Sequence, residues 1–369
     1  DNELIIIDDL TELAYRYDEP AQKLYFNVGD GRRVVKQFDA HNPSDTMVPV
    51  QSDFGSALNY TLFASSTKPL STGAFSFSGV NATLDARTFG PYGTLRQSAI
   101  IGTTTTQDFT ALRLNTTWAY SNPDTLLTYR VGDIISGGLA WSRPIRLGGV
   151  QMQRNFALRP DLVTLPLPTV SGSAAVPSTV DVYVNNLKTF SQQVPAGPFQ
   201  VTNVPVVSGA GTAQVVIRDA AGHQTQTSLP FYTSPKLLRE GFMDFSVEAG
   251  LPRVQYGTAS SSYLDNPVGS ASLRGGLHER LTVEAHAEGG EGLMNGGLGA
   301  VTSLGSGGVV SVAGSASRYA DVFGFQSYVA YDKQFATFSI HASSLRTFGT
   351  YNDLAAVTAY YLPAVGAYQ

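Results

Sequence analysis

With 369 residues the chain has room for two or three domains of roughly 150 residues each. Charged residues make up only 14%, against about 25% in ordinary soluble domains, while Gly (37), Phe (19) and Tyr (18) are abundant. The net charge of -5, with Lys and Arg scattered, offers no basic surface to a phosphate backbone and excludes nucleic acid as a partner; the absence of cysteine excludes disulfides, thiolate metal sites and a cysteine nucleophile.

No apolar run approaches the ~18 residues of a membrane-spanning helix, so a membrane location would require a barrel. The chain opens at Asp1 without a charged start or apolar signal core, and we expect it to begin inside a longer protein. Residues 4–7 ("LIII") predict a strand, followed by a hairpin pairing Tyr15 and Tyr17 with Tyr25 and Phe26 across "DEPAQ". So little core is unlike an independent fold, and residues 1–28 read as the tail end of a domain. Residues 29–53, polar and carrying Pro43 and Pro49, read as a linker.

From residue 54 to 157 alternation dominates. In "GSALNYTLFAS" Leu58, Tyr60, Leu62 and Ala64 share one face; in "ALRLNTTWAY" Leu112, Leu114, Trp118 and Tyr120 do, with Thr116 between them, while Arg113, Asn115 and Thr117 face away. "LTVEAHAE" sets Leu281, Val283, Ala285 and Ala287 against Thr282, Glu284, His286 and Glu288, and "ATFSIHAS" sets Ala336, Phe338, Ile340 and Ala342 against Thr337, Ser339, His341 and Ser343. Turn clusters such as "NPDT" and "GGEGLMNGG" separate the strands, giving a long antiparallel meander that resumes over residues 238–369. Soluble sandwiches alternate too. What favours a barrel is that modest apolar faces of Ala, Thr and Tyr recur along the chain with little surface charge, as suits a lipid-facing wall around a wet interior, with Trp118, Tyr120, Tyr60, Tyr360 and Tyr361 as interfacial aromatics.

Residues 158–237 read differently. Pro160, Pro166 and Pro168 cannot donate to a ladder and suit an extended tether, and Pro230 and Pro235 mark the exit. Between them lie short strands with tight turns at Asn185-Asn186 and "DAAGH", amounting to about 70 residues, the size of a minimal β-sandwich. A small globular domain is thus inserted between two strands of the larger structure.

The runs "RPDLVTLPLPTVSGSAAVPSTVDVYVNN", "QVPAGPFQVTNVPVVSGAGTAQVVIRDAAGHQ" and "LPFYTSPKLLREGFMDFSVEAGLPR" closely resemble the fimbrial outer-membrane usher family of chaperone-usher pilus assembly, and "RVGDIISGGLAWSRPIRLGGVQMQRNFALRPD" resembles that family's approach to its plug. The resemblance implies an all-β fold, a transmembrane antiparallel β-barrel, here partial, with an inserted β-sandwich plug domain. It implies the bacterial outer membrane, with residues 1–28 ending a periplasmic N-terminal domain. The implied partners are periplasmic chaperone-subunit complexes, pilus subunits and outer-membrane lipid; the subunits would polymerise by donor-strand exchange and leave through the pore. The chain is short for the family and lacks its C-terminal periplasmic domains, so it reads as a fragment whose own barrel closure is in question.

Arg113, Asn115, Arg130, Glu284, His286 and Glu288 are the candidate pore-lining residues, expected to stay solvated; Pro160, Pro166, Pro168, Pro230 and Pro235 are candidate hinges of the plug. Arg218, Asp219 and His223 are candidates for contact between plug and barrel wall, beside the plainer reading of "RDAAGH" as an exposed hairpin. No catalytic residue, cofactor or metal is expected. His41, His223, His278, His286 and His341 are isolated from ligand spacing, "GGEGLMNGGLG" is followed by strand alternation as in a hairpin, and neither GxSxG nor GxxxxGK(S/T) occurs, so no nucleotide is expected either. The sequons at Asn59, Asn81 and Asn115 fall in strands and carry little weight. Two other readings stand beside the pore: a secreted adhesin or carbohydrate-binding array of β-sandwiches, and a glycan-acting enzyme on a β-scaffold, for which no acid and base pair is identifiable.

Overall fold

A computed structural model of the chain describes residues 14–27, 33–40, 53–66, 77–104, 109–206, 208–335 and 337–359. These fall into two compact units, one drawn from Asp1–Pro43 and Leu167–Thr233, the other from Ser44–Pro166 and Ser234–Gln369. The expected strand at residues 4–7 and the pair Tyr360 and Tyr361 lie outside the described residues.

In the first unit, β1 (Ala14–Asp18) and β2 (Lys23–Asn27) form the expected hairpin. Tyr15 faces Phe26 with ring centroids 6.5 Å apart, whereas Tyr25 lies opposite Arg16 instead of a tyrosine. β3 (Lys36–Asp39) falls within residues expected to be a linker. It is instead a strand, paired parallel with a segment far along the chain.

The second unit begins with β4 (Gly55–Ser66), β5 (Phe77–Gly90), β6 (Gly93–Thr104), β7 (Thr110–Asn122), β8 (Leu127–Ile135) and β9 (Arg146–Arg154). The chain then enters the insert, β10 (Val170–Ala174), β11 (Ser178–Val184), β12 (Leu187–Val194), β13 (Gly197–Thr202), β14 (Gly209–Asp219) and β15 (Gln224–Thr233). It returns as β16 (Met243–Pro252), β17 (Val268–His278), β18 (Leu281–Gly290), β19 (Leu293–Ser303), β20 (Val309–Tyr319), β21 (Val322–Gln334) and β22 (Ser339–Gly349), followed by a short helix, α1 (Leu354–Ala359).

Strands β4 to β9 and β16 to β22 make one 13-stranded antiparallel sheet in which every neighbour in space is the neighbour in sequence, once the insert is skipped. Across that seam Val150 faces Ala249 and Gly149 faces Gly250. A Cβ on Gly149 would strike the Ala249 carbonyl and one on Gly250 the Gly148 carbonyl, so the two backbones close the seam without side chains. The glycine-rich stretch at residues 289–299 is the β18–β19 hairpin, turning at Glu291 and Gly292, both at positive φ (54° and 77°), as two-residue hairpin turns require.

The insert is two sheets face to face, β12-β11-β14-β15 and β10-β13-β3. Period-two alternation along β11 puts Val180, Val182 and Val184 into a core with Phe199, Val201, Val204 and Val215. Burying each such valine contributes roughly 1.5–3 kcal/mol relative to exposure. Asn185 and Asn186, at φ of 49° and 69°, make the tight turn expected after β11.

The larger sheet inverts the rule that carbon goes inside. On β18 the buried side chains are Thr282, Glu284, His286 and Glu288, while Ala287 is exposed. Asn295 is 7% exposed on β19, between Met294 and Leu298 at 71% each, and on β21 Gln326 is buried between exposed Phe325 and Val329. A sheet that hides its polar alternate residues and shows its apolar ones is built for an apolar surrounding. Among the expected interfacial aromatics, Trp118 and Tyr120 stack with centroids 6.4 Å apart and the indole N–H donates to the Tyr92 carbonyl at 3.1 Å. Tyr60 departs from the expectation by lying in mid-strand, opposite Leu84.

Candidate functional site

Three segments outside the strands, residues 136–145, 253–264 and 351–359, bond to the polar face of the sheet. Glu248 accepts from the Gly137 N–H at 3.0 Å, the Ser246 hydroxyl at 2.6 Å, the Ser270 hydroxyl at 2.7 Å and the Gln151 amide at 3.2 Å. Two strands away, Glu284 accepts from the Trp141 indole at 2.9 Å and from Arg274 at 3.1 Å. Trp141 also meets His286 edge-on, with centroids 5.9 Å apart, and its carbonyl accepts from Gln326 at 2.7 Å.

His286 is held between the Ser272 hydroxyl at 2.9 Å and Glu288 at 3.4 Å. Glu288 in turn accepts from the Asn295 amide at 3.0 Å and from the Leu354 N–H at the start of α1 at 2.8 Å. Asp353 caps α1 through the Ala356 N–H at 2.7 Å and binds Arg143 at 2.6 Å, joining two of the covering segments to each other. The Tyr351 hydroxyl accepts from the Ser315 hydroxyl and the Asn295 amide at 3.0 Å each, and burial raises its phenol above the ordinary range.

The third segment docks on β7 and β8. Arg113 donates to the Ser260 carbonyl at 3.0 Å and the Tyr263 hydroxyl at 2.6 Å and pairs with Asp133; Asp133 also receives the Tyr263 hydroxyl at 2.5 Å, Arg253 at 2.9 Å and the Thr116 N–H at 2.7 Å. Burial and the hydrogen bond to Asp133 raise the Tyr263 phenol. The Arg146 guanidinium lies 3.6 Å from the Tyr256 ring centroid, and the Tyr256 hydroxyl accepts from Asn115 at 3.1 Å.

Of the six candidate pore-lining residues, Glu284, His286 and Glu288 therefore share one buried network, Arg113 and Asn115 share another, and Arg130 donates to Gln151 at 2.8 Å. All lie on the polar face, but the expectation that they stay solvated is corrected: Glu284, His286 and Glu288 are 6–7% exposed, because the covering segments bond to the carboxylates in place of water. Thr116 is corrected as well. The β6–β7 ladder slips by one residue, pairing Ser98 with Asn115 and Ala99 with Arg113, and Thr116 turns to the polar side, where its hydroxyl meets Arg113 at 3.1 Å and Gln97 at 2.6 Å.

The candidate hinges divide. Pro166 closes the larger unit and Pro168 lies just inside the insert, while Pro160 and Pro235 sit in turns closed by Leu162 to Arg159 at 3.0 Å and Leu237 to Ser234 at 3.1 Å. Pro230 is corrected: it lies inside β15, opposite Thr212, at the edge of its sheet, where a residue without an N–H is tolerated. The exit arm is tied down from Ser234 onward, by Lys236 to Asp332 at 2.5 Å, Leu238 N–H to Thr282 at 2.7 Å and Arg239 N–H to the Thr164 carbonyl at 2.8 Å.

In the insert, Asp219 spends its carboxylate on its own hairpin, accepting from the Ala221 and His223 N–H groups at 2.9 Å each and lying 3.0 Å from the His223 ring, which holds it below the usual carboxylate range. Sequence reasoning missed Trp141, Arg143, Glu248, Asp353, Arg253 and Tyr263. The available signals were weak: a tryptophan in a glycine- and proline-flanked stretch, "GGLAWSRP", and an Asp before a short apolar run, "NDLAAV".

A family profile described as "Outer membrane usher protein" matches residues 97–355. The F1 capsule-anchoring protein of Yersinia pestis is 28% identical over 144 residues, 39% of this chain and 17% of its own length. The outer membrane usher protein YehB of Escherichia coli K12 is 26% identical over 242 residues, 61% of this chain and 28% of its own. The chain thus spans well under half the length of these relatives. In fold it is similar to a chain of a cryo-EM structure of the E. coli P pilus tip assembly intermediate PapC-PapD-PapK-PapG, at 17% identity and a TM-score of 0.59 over 95% of this chain and 44% of that one. With the profile covering most of its length, and with an inside-out sheet interrupted by a β-insert, the chain belongs to the outer membrane usher protein family and is a β-protein of the outer membrane.

Proposed function

We propose that the chain forms part of a pore that receives chaperone-bound pilus subunits, promotes their polymerisation by donor-strand exchange and passes the fibre outward, with the insert acting as its gate. The observation that carries this reading is the continuous ladder from β9 to β16: the insert interrupts the sequence without interrupting the sheet. A folded body of that kind can be displaced while the wall stays hydrogen-bonded. The family match and the pilus-assembly neighbour support the choice of cargo. On this reading the protein is a transport pore and not an enzyme, and no nucleotide drives it, since exchanged strands supply backbone hydrogen bonds and side-chain burial.

Motion would be confined to the three breaks between the units, Pro43 to Ser44, Pro166 to Leu167 and Thr233 to Ser234. The polar residues Arg113, Asn115, Arg130, Glu284, His286 and Glu288 would then line the path directly or anchor the segments that do, with lipid on the opposite face. Contact of Arg218, Asp219 and His223 with the wall belongs to the same proposal. Removing residues 167–233 and joining the ends with a short glycine linker tests it in planar bilayers, using the longer usher that contains this chain. Large, continuously open conductances are expected; conductance unchanged from the intact protein would sink the gating role.

A further inference from the structure

The sheet β10-β13-β3 draws its third strand from far upstream in the sequence. β13 holds β10 antiparallel on one side and β3 parallel on the other, with Lys36 opposite Phe199, Gln37 opposite Gln200, Phe38 opposite Val201 and Asp39 opposite Thr202. The Ala40 N–H donates to the Thr202 carbonyl at 2.9 Å, Asn203 donates to Asp39 at 3.0 Å, and Gln37 donates to Gln200 at 3.3 Å. Phe38 packs against the insert's core and Ala40 is 7% exposed within it. Residues 36–40 therefore complete a sandwich to which they do not belong in sequence.

A parallel neighbour cannot be reached by a hairpin, and β3 comes to this edge from far upstream of the insert. The pairing is also short. Four residues pair, and each backbone hydrogen bond adds little net, so a strand of this length is held firmly enough to dock and weakly enough to leave. Addition of an extended segment to an exposed sheet edge, with side-chain pockets setting register, is a general mode of peptide recognition.

We propose that the β13 edge of the insert is a peptide-accepting groove, filled in cis by residues 36–40. Its ligand is an extended segment running parallel to β13, with a large apolar side chain at the position of Phe38 and a small one at that of Ala40. Any event that pulls the chain ahead of β4 strips this strand and opens the groove to another extended segment. The inference does not depend on the gating role.

The test uses the full chain in detergent micelles carrying Gln37→Cys and Gln200→Cys. Oxidation should cross-link the pair, and excess synthetic peptide RVVKQFDA should slow that cross-linking severalfold by competing for the edge, whereas a peptide with aspartate in place of its phenylalanine should not. A second variant, Ala40→Pro, removes the donor to Thr202 and should bind fluorescent RVVKQFDA saturably and severalfold more tightly than the wild type, whose own strand competes for the edge. Absence of the cross-link, a rate indifferent to the peptide, or equal slowing by the aspartate peptide would overturn the proposal. So would failure of Ala40→Pro to bind while amide exchange at Val182 and Val215 stays protected.

Discussion

Glu284 shows what a single carboxylate contributes when the surrounding sheet faces outward. Its two acceptor oxygens hold the Trp141 indole and Arg274, so Glu284→Ala leaves an indole N–H and a guanidinium without their partner. We expect a loss of about 2–3 kcal/mol and a shift of Trp141 emission to longer wavelength, read in a Trp118→Phe background that leaves one indole; Glu284→Gln, which keeps an acceptor, should lose less. Equal emission in the alanine variant and its parent would show that this bond does not hold residue 141. Asp181 offers a pH signature in the insert. Burial pushes its carboxyl up, but the Lys188 ammonium and the Ser191 hydroxyl, each at 2.6 Å, more than offset this and hold it below the usual range. A depressed folded value stabilises above the unfolded value of about 3.9, and that contribution is lost as pH falls through the folded value. Because Lys188 is 45% exposed, Asp181→Asn should cost only about 1 kcal/mol at pH 7, with the two proteins converging in amide exchange across β11 once the pH has fallen through the folded value. A gap that persists at low pH would place the effect elsewhere. At this scale the sequence disclosed which face Glu284, His286 and Glu288 occupy, because alternation fixes it. Their burial was hidden, since the groups that cover them arrive from residues 141 and 354, too far along the chain for any local pattern to register.

Strands were the most legible elements. The alternating runs in β4, β7, β18 and β22 and the hairpin turns at Asn185 and Glu291 all carry local signals, because period two and positive φ are written in nearest neighbours. Three elements were not legible for the converse reason. β3 owes its strand state to a partner some 160 positions away, the slip opposite Ser98 depends on the neighbouring ladder, and Pro230 is tolerated only because β15 lies at an edge. The inverted burial of β18 gives a direct test. Ala285 belongs to the apolar set, so Ala285→Arg should impair folding into lipid vesicles by about 2–4 kcal/mol, whereas Glu291→Arg in the hairpin turn should be nearly neutral. Matching folding yields for the two variants, measured by heat-modifiable gel mobility, would mean that Ala285 does not meet hydrocarbon.

For the whole molecule, the exposed apolar residues of the sheet, among them Leu58, Leu62, Met294, Leu298 and Phe325, set the solvent it tolerates. The polypeptide should remain dispersed only in detergent or lipid and precipitate on detergent removal; a monodisperse peak in plain buffer by light scattering would contradict the membrane assignment and favour a secreted sandwich array. The seam where Gly149 meets Gly250 has a further consequence for how such a protein can be altered. Entry and exit arms are fastened to each other by Arg239 and Thr164, so the two chain ends that carry the insert are presented side by side as a fixed socket. Any compact module with adjacent termini could be spliced there, a fluorescent reporter or a foreign binding domain, and the staves around it would register no change in their own partners.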